Sequence, residues 1–241
     1  MHQPGALAIY EPTAHRVART MVQSGAYLVS ETEFFTWKSG FRAPVYTDCR
    51  RMMGHPGGRT LIKKALGSAI LSHFGSPDYA IGMAEAGITW SSLVADELHI
   101  RTTFVRKQPK NHGVGGLVAG IPDRDNRLDS ISAVIVDDLV ASGESLVRAV
   151  NAVRDETHIN VIGIVSIVNW DFHAMRDRFR ELRVPVVSLV SYPQLLAAAL
   201  DEGLLSQEQL EELVLFYRNP RAHQWSSTFT LAHRGEGGVG A

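Results

Sequence analysis

The chain has 241 residues, 45% of them hydrophobic, with Lys+Arg 24 against Asp+Glu 25 and a net charge of −1. That length fits one α/β domain with additions or two small domains, and the apolar fraction suffices for a full core without staples. No global basic field exists, so the composition does not suggest nucleic-acid binding, and any anionic ligand must be met by local positive groups.

The opening MHQPGALAIYEPTAH lacks a basic region followed by a long apolar run, and no signal peptide is expected. Residues 13–24 place apolar side chains at helical spacing, with Gly25 as the stop. Residues 26–51 carry short alternating runs broken by Gly40 and Pro44, the pattern of a small antiparallel piece outside a main sheet. Its Asp48 and Arg50, two apart on a strand, share a face and can pair. Cys49 is the one cysteine, so no internal disulfide or zinc ribbon is possible, which fits a reducing cytoplasm.

From residue 57 the pattern alternates. Helix 57–74 precedes strand 78–83, helix 87–98 and strand 101–107. After a long connection come strand 132–138, a helix from about residue 145, strand 160–170, helix 171–182, strand 184–190 and helices 193–203 and 206–218. The strands are Val/Ile-rich and read as buried on both faces, the mark of a parallel sheet covered by helices. The longest apolar run, VIGIVSIVNW, is too short to span a bilayer. The chain divides into an N-terminal helix and hood (13–56), a core (57–217) and an extension (218–241) whose Gly-rich end is expected to be disordered.

The stretch VIVDDLVASGES holds the first chemistry. Two adjacent carboxylates, Asp137 and Asp138, resist burial and repel each other. They sit at the carboxyl end of a predicted strand, where open α/β sheets bind ligands. Ala141, Ser142 and Gly143 are small enough to wrap a phosphate. Ser142 and Ser145 add hydroxyl donors, and the helix that follows offers unpaired N–H groups. The acids cannot serve the phosphate. They suit sugar hydroxyls, or a magnesium ion held through water. The pattern describes a ribose with a phosphate at one end. An Asp N-cap beside a solvated charge pair is the plainer reading. Glu144 is awkward in such a turn and is expected to point outward.

The connection 108–131 has four glycines and two prolines and is long for a compact domain. The strand end and the start of this connection carry Arg106, Lys107, Lys110 and His112 within seven residues, and Gly113, Gly115 and Gly116 supply freedom. Such a flap suits a pyrophosphate arriving with magnesium, although a solvated basic loop is common. In GMAEAGI, Ala84, Ala86 and Gly87 let backbone N–H groups approach oxygens, or simply make a strand-to-helix turn. A lysine at position 38, after an aromatic pair and before a Ser-Gly turn, suits an anionic base or pyrophosphate, or is a solvated hairpin residue.

VIVDDLVASGES resembles the phosphoribosyl pyrophosphate (PRPP) signature of type I phosphoribosyltransferases. RKQPKNHG is similar to the basic loop of orotate phosphoribosyltransferases, and FFTWKSGFRAPVYTDCR to their hood segment. The resemblance runs from about residue 13 to 217 and implies the type I phosphoribosyltransferase fold, a mostly parallel twisted sheet flanked by helices with a small N-terminal hood. It implies transfer of phosphoribosyl from PRPP to orotate with Mg2+ carried by the PRPP and no direct protein ligands. It also implies a cytoplasmic homodimer whose 106–120 loop reaches the neighbouring active site. By the same resemblance Lys110, His112 and Asp138 are catalytic. Arg106, Lys107, Lys110, His112, Asp137, Asp138, residues Ala141, Ser142, Gly143, Glu144 and Ser145, and Ala84, Ala86 and Gly87 hold PRPP. Lys38, Phe35 and Ala141 meet the base. Some members carry a lysine where this chain has Ala86, a threonine at Ala141, and an orotate-contacting arginine where it reads SIVNWDFHAM, with none before Arg176. A transferase for another base, or a PRPP-binding regulator without catalysis, stays compatible with the residues.

Overall fold

The computed structural model describes residues 11–30, 33–37, 40, 42–109, 116–122, 125, 130–170, 173–220, 223–225 and 229, with side chains 173–176 outside that description. Ala14, Val17, Ala18, Met21 and Val22 recur at helical spacing on Glu11–Gln23 (α1) and form its buried face. The helix stops at Gly25, whose φ of 69° suits a residue without Cβ. There the Gly25 N–H donates to the Val22 carbonyl (3.0 Å) and the Ala26 N–H to that of Met21 (2.8 Å).

Four short strands follow: Tyr27–Val29 (β1), Phe35–Thr36 (β2), Arg42–Ala43 (β3) and Val45–Thr47 (β4). β1 pairs with β4 and β2 with β3, both antiparallel and separate from the main sheet, which is the expected hood. Asp48 and Arg50 do pair, but not on a strand. β4 ends at Thr47, and Asp48 caps a 3-10 helix, Cys49–Gly54, accepting from the Arg50 backbone N–H (3.3 Å) and Nε (2.6 Å). An aspartate that satisfies a helix's orphan amide draws the chain out of the extended conformation.

The core alternates as expected: Pro56–Phe74 (α2), Tyr79–Met83 (β5), Ala86–Leu98 (α3), Arg101–Val105 (β6), Val118–Ala119 (β7), Ser132–Val140 (β8), Glu144–Glu156 (α4), Asn160–Asn169 (β9), His173–Leu182 (α5), Val186–Ser191 (β10), Tyr192–Asp201 (α6) and Gln207–Arg218 (α7). The sheet order is β10-β9-β8-β5-β6-β7, parallel except for β7, which runs antiparallel to β6. Alternate residues of each strand feed opposite cores. Val134 and Val136 of β8 join Met21, Ile70, Trp90 and Leu195 on one face. Ala133 and Ile135 join Leu146, Val150, Val153 and Phe179 on the other. Helices α1, α2, α3, α6 and α7 thus cover one face, and α4 and α5 the other.

Two places differ from the sequence pattern. The connection 108–131 is not structureless, since it contains β7 and a buried Asp125 that accepts from the Tyr79 hydroxyl (2.6 Å) and pairs with Arg101 Nε (3.4 Å). A two-residue strand is too short to show a period. The extension after residue 218 also returns to the hood. Trp225 Nε1 donates to the Arg42 carbonyl (3.1 Å), its ring lies edge-on to Phe34 (5.4 Å), and Phe229 is buried beside it. The expected Gly-rich end lies outside the described residues. Among the described residues, no helix is long and apolar enough to cross a membrane.

Candidate active site

The chain leaves β5 through α3 to β6, then returns to β8 on the opposite side of β5. The order therefore reverses between β5 and β8, and a crevice opens at their carboxyl ends, the usual ligand position in such sheets. Ala84, Ala86 and Gly87 come to it from β5, and Asp137 to Ser145 from β8.

The β5 turn is built by close packing. A Cβ on Gly87 would lie 2.5 Å from the Val136 carbonyl oxygen and 3.4 Å from the Asp137 Cα. One on Gly82 would lie 2.4 Å from Ser91 Oγ. The two glycines let α3 press against β5 and β8 at the level of the acids. The Ala84 N–H donates to the Val105 carbonyl (3.0 Å), so it serves the fold, and the start of α3 beyond Glu85 carries no side-chain cap. Helix-start amides without a side-chain partner suit an anion. Lys107 Nζ reaches Glu85 Oε1 at 3.1 Å, which brings the root of the basic loop beside this turn.

The acids lie further inside the strand than the sequence pattern places them. β8 runs on to Val140, because Leu139 and Val140 keep pairing with Val168 and Asn169 of β9. The turn is therefore Ala141–Gly143. Asp137 is buried at 9% exposure, and its Oδ1 accepts from the Asp138 N–H (2.9 Å). Burial, reinforced by the neighbouring Asp138 charge, holds the Asp137 carboxyl well above the usual range. Burial also raises Asp138, against the pull of hydrogen bonds and the Arg50 charge. The hood meets the acids here, with Cys49 Sγ 3.6 Å from the Asp138 carbonyl oxygen and its thiol pushed far up, first by burial and then by the surrounding carboxylates. An acid pair whose ionisation burial opposes gains from polar hydroxyls that a ligand brings.

Gly143 adopts φ 75°, which turns the chain into α4, and no side chain caps that helix. α4 begins at Glu144, in line with the expected start near residue 145. Glu144 points outward, as expected, where Arg178 Nη2 of α5 lies 3.1 Å from its Oε1. Arg178 Nη1 donates to the Ser142 carbonyl (2.5 Å).

The basic loop stands on the β6–β7 ladder. The Arg106 N–H donates to the Leu117 carbonyl (2.9 Å), and its Nη1 to that of Gly116 (3.3 Å). Glu156, at the end of α4, takes the Leu117 and Val118 N–H groups at 2.9 Å. Lys110 and His112 lie outside the described residues, as does Lys38. Phe35 of β2 is half-buried and tilted against Tyr46 (5.6 Å). Trp170 lies in the stretch SIVNWDFHAM, where some relatives were expected to carry an orotate-contacting arginine. It is buried, stacked on Tyr192 (3.9 Å) and edge-on to Trp37 (4.3 Å), so this position joins hood to core. Sequence reasoning missed Glu156 and Arg178, since both act on residues distant in the chain and neither belongs to a local motif.

Residues 55–186 match the phosphoribosyl transferase domain family. An orotate phosphoribosyltransferase of Streptococcus agalactiae is 32% identical over 203 residues, 84% of this chain and 94% of the relative. The chain belongs to the orotate phosphoribosyltransferase family. Solved structures with the same fold include the orotate phosphoribosyltransferase of Aeropyrum pernix (TM-score 0.65, 24% identity, 79% of this chain and 99% of that one). Leishmania donovani UMP synthase also has it (TM-score 0.71, 24% identity), and there 85% of this chain covers 42% of the other. Membership in the orotate phosphoribosyltransferases agrees with the crevice: an acidic strand end between two uncapped helix starts.

Proposed function

We propose that the protein transfers the phosphoribosyl group of PRPP to orotate, giving orotidine 5′-monophosphate and pyrophosphate in pyrimidine synthesis. The observation that carries the reading is the convergence, at the switch point between β5 and β8, of two uncapped helix starts on an aspartate pair whose first member is buried. A ligand with a phosphate at one end, a diphosphate at the other and hydroxyls between matches that order.

In this reading Asp137 and Asp138 accept from the ribose hydroxyls, and residues 141–145 wrap the 5′-phosphate. Ala86 and Gly87 cup the diphosphate, with Ala84 holding the turn in place. The C1′–oxygen bond to pyrophosphate breaks with oxocarbenium character, and a ring nitrogen of orotate bonds to C1′ from the opposite face. Arg106, Lys107, Lys110 and His112 close over the leaving group and offset its growing charge, with Lys110 or His112 supplying a proton. Phe35, Lys38 and Ala141 border the base. Among the described residues no cluster of three or more His, Cys, Asp or Glu side chains is suited to a metal. Asp137 and Asp138 could hold, through water, a Mg2+ ion brought by PRPP. Such an ion would neutralise the diphosphate.

The reading includes a cytoplasmic homodimer in which each 106–120 loop serves the neighbouring site. The stretch SIVNWDFHAM, with no arginine before Arg176, favours one second reading, a transferase for another base. Turnover of PRPP with orotate and with a panel of other bases, with and without Mg2+, separates the two. Pyrophosphate release with orotate alone supports the first reading, and release only with another base supports the second. Lys110→Ala is expected to lower kcat by roughly 10²–10³-fold with the fold intact. Near-normal turnover would remove the loop from the mechanism.

A further inference from the structure

The turn between β8 and α4 is held from behind by a residue of another helix. Arg178 uses two nitrogens of one guanidinium: Nη1 donates to the Ser142 carbonyl at 2.5 Å, and Nη2 lies 3.1 Å from Glu144 Oε1. Arg178 and Glu144 belong to the lining of an open groove between α4 and α5, of about 680 Å³, with Val147, Arg148, Glu181 and Leu182. The two acceptors flank Gly143, whose left-handed φ of 75° makes the bend.

Two physical consequences follow. A carbonyl held from the outer side keeps its oxygen away from the crevice, where it would repel an anion, and the peptide plane then directs the following N–H the other way. Glu144 sits at the first position of a helix whose uncapped start faces the ligand, and a free carboxylate there would oppose a phosphate dianion. Arg178 draws that carboxylate outward and balances its charge. Arginine suits the task, since its planar fork grips two acceptors in a fixed relation where lysine holds a single point.

We infer that Arg178 is a positioning residue for the 5′-phosphate of PRPP, acting through Ser142 and Glu144 without touching the substrate. The inference rests on the phosphoribosyl-transfer reading above. It explains how an acidic residue is tolerated in the phosphate turn.

Steady-state kinetics of the full-length protein with PRPP and orotate tests it. Arg178→Met is expected to raise KM for PRPP about tenfold while kcat at saturating PRPP and KM for orotate stay within about twofold. Adding Glu144→Gln to Arg178→Met is expected to recover part of the PRPP affinity, because the unbalanced charge is gone. A merely structural arginine predicts no such recovery. Should Arg178→Met fail to fold, Arg178→Lys serves, with KM for PRPP raised a few-fold. An unchanged KM for PRPP in the folded variant, equal losses in kcat and both KM values, or no recovery on adding Glu144→Gln would overturn the inference. Absence of turnover in the unaltered protein would instead overturn the transfer reading itself.

Discussion

Asp137 concentrates the tension of the site. It is buried, and both burial and the Asp138 charge raise its pKa. A carboxyl whose folded pKa lies above its unfolded value favours folding most while protonated. Stability is lost as pH rises from the ordinary carboxylate range through the folded pKa. Asp137→Asn removes that loss. The variant is expected to melt about 2–6 °C above the parent at pH 7, with the difference vanishing as pH falls below about 4. Its turnover is expected to drop by orders of magnitude, since an amide cannot replace a carboxylate that accepts two hydroxyl donors. Melting curves across pH together with PRPP-dependent turnover check both halves; a parent that melts no lower than the variant at pH 7 contradicts the account. The acid pair was legible in the sequence because it interrupts an apolar strand. Its depth was not, since only the β8–β9 ladder carries the strand on to Val140.

At the scale of elements, the β5 turn and the basic loop each depend on a contact that local pattern does not reveal. Gly87→Ala puts a methyl group 2.5 Å from the Val136 carbonyl oxygen, which cannot give way inside the sheet. Denaturant unfolding is expected to show a loss of about 2–3 kcal/mol, with activity falling as α3 lifts from the acids. A variant as stable as the parent would mean that α3 packs less closely than described. Glu156 ties the exit of the basic loop by accepting the Leu117 and Val118 amides. Glu156→Ala is expected to lower kcat about threefold to tenfold by loosening the loop root, with little change in melting temperature. Single-turnover rates check it, and an unaltered rate would detach loop closure from that anchor. Sequence motifs located the loop, but β7 is two residues long and has no period to read.

At the scale of the whole molecule, the proposed dimer makes a separate prediction. If each 106–120 loop serves the neighbouring site, co-expressed Lys110→Ala and Asp138→Asn chains, each inactive alone, form mixed dimers with one intact site. Activity is then expected to recover to about a quarter of the parent value, since half the dimers are mixed and each has one working site of two. No recovery would mean that each loop closes over its own acids. The hood depends on distant chain too. Trp225→Ala removes both the bond to the Arg42 carbonyl and the ring contacts to Phe34 and Phe216, and is expected to cost about 3 kcal/mol of stability in denaturant unfolding. An unchanged midpoint would mean that the hood stands without the extension.

Local pattern along the chain already specifies the alternation of buried strands and helices, the antiparallel hood and the acidic strand end with its small-residue turn. Each of these is written in periodicity or in adjacent residues, where local sterics and hydrogen bonding decide the outcome. Folding in three dimensions was needed to bring the two turns together at the β5–β8 switch point, to seal the hood with Trp225 and Phe229, to stack Trp170 on Tyr192, and to set Arg178 and Glu156 as braces for loops far from them in the chain. Those contacts join residues whose separation carries no repeat, and they exist because burying apolar surface brings the distant segments together.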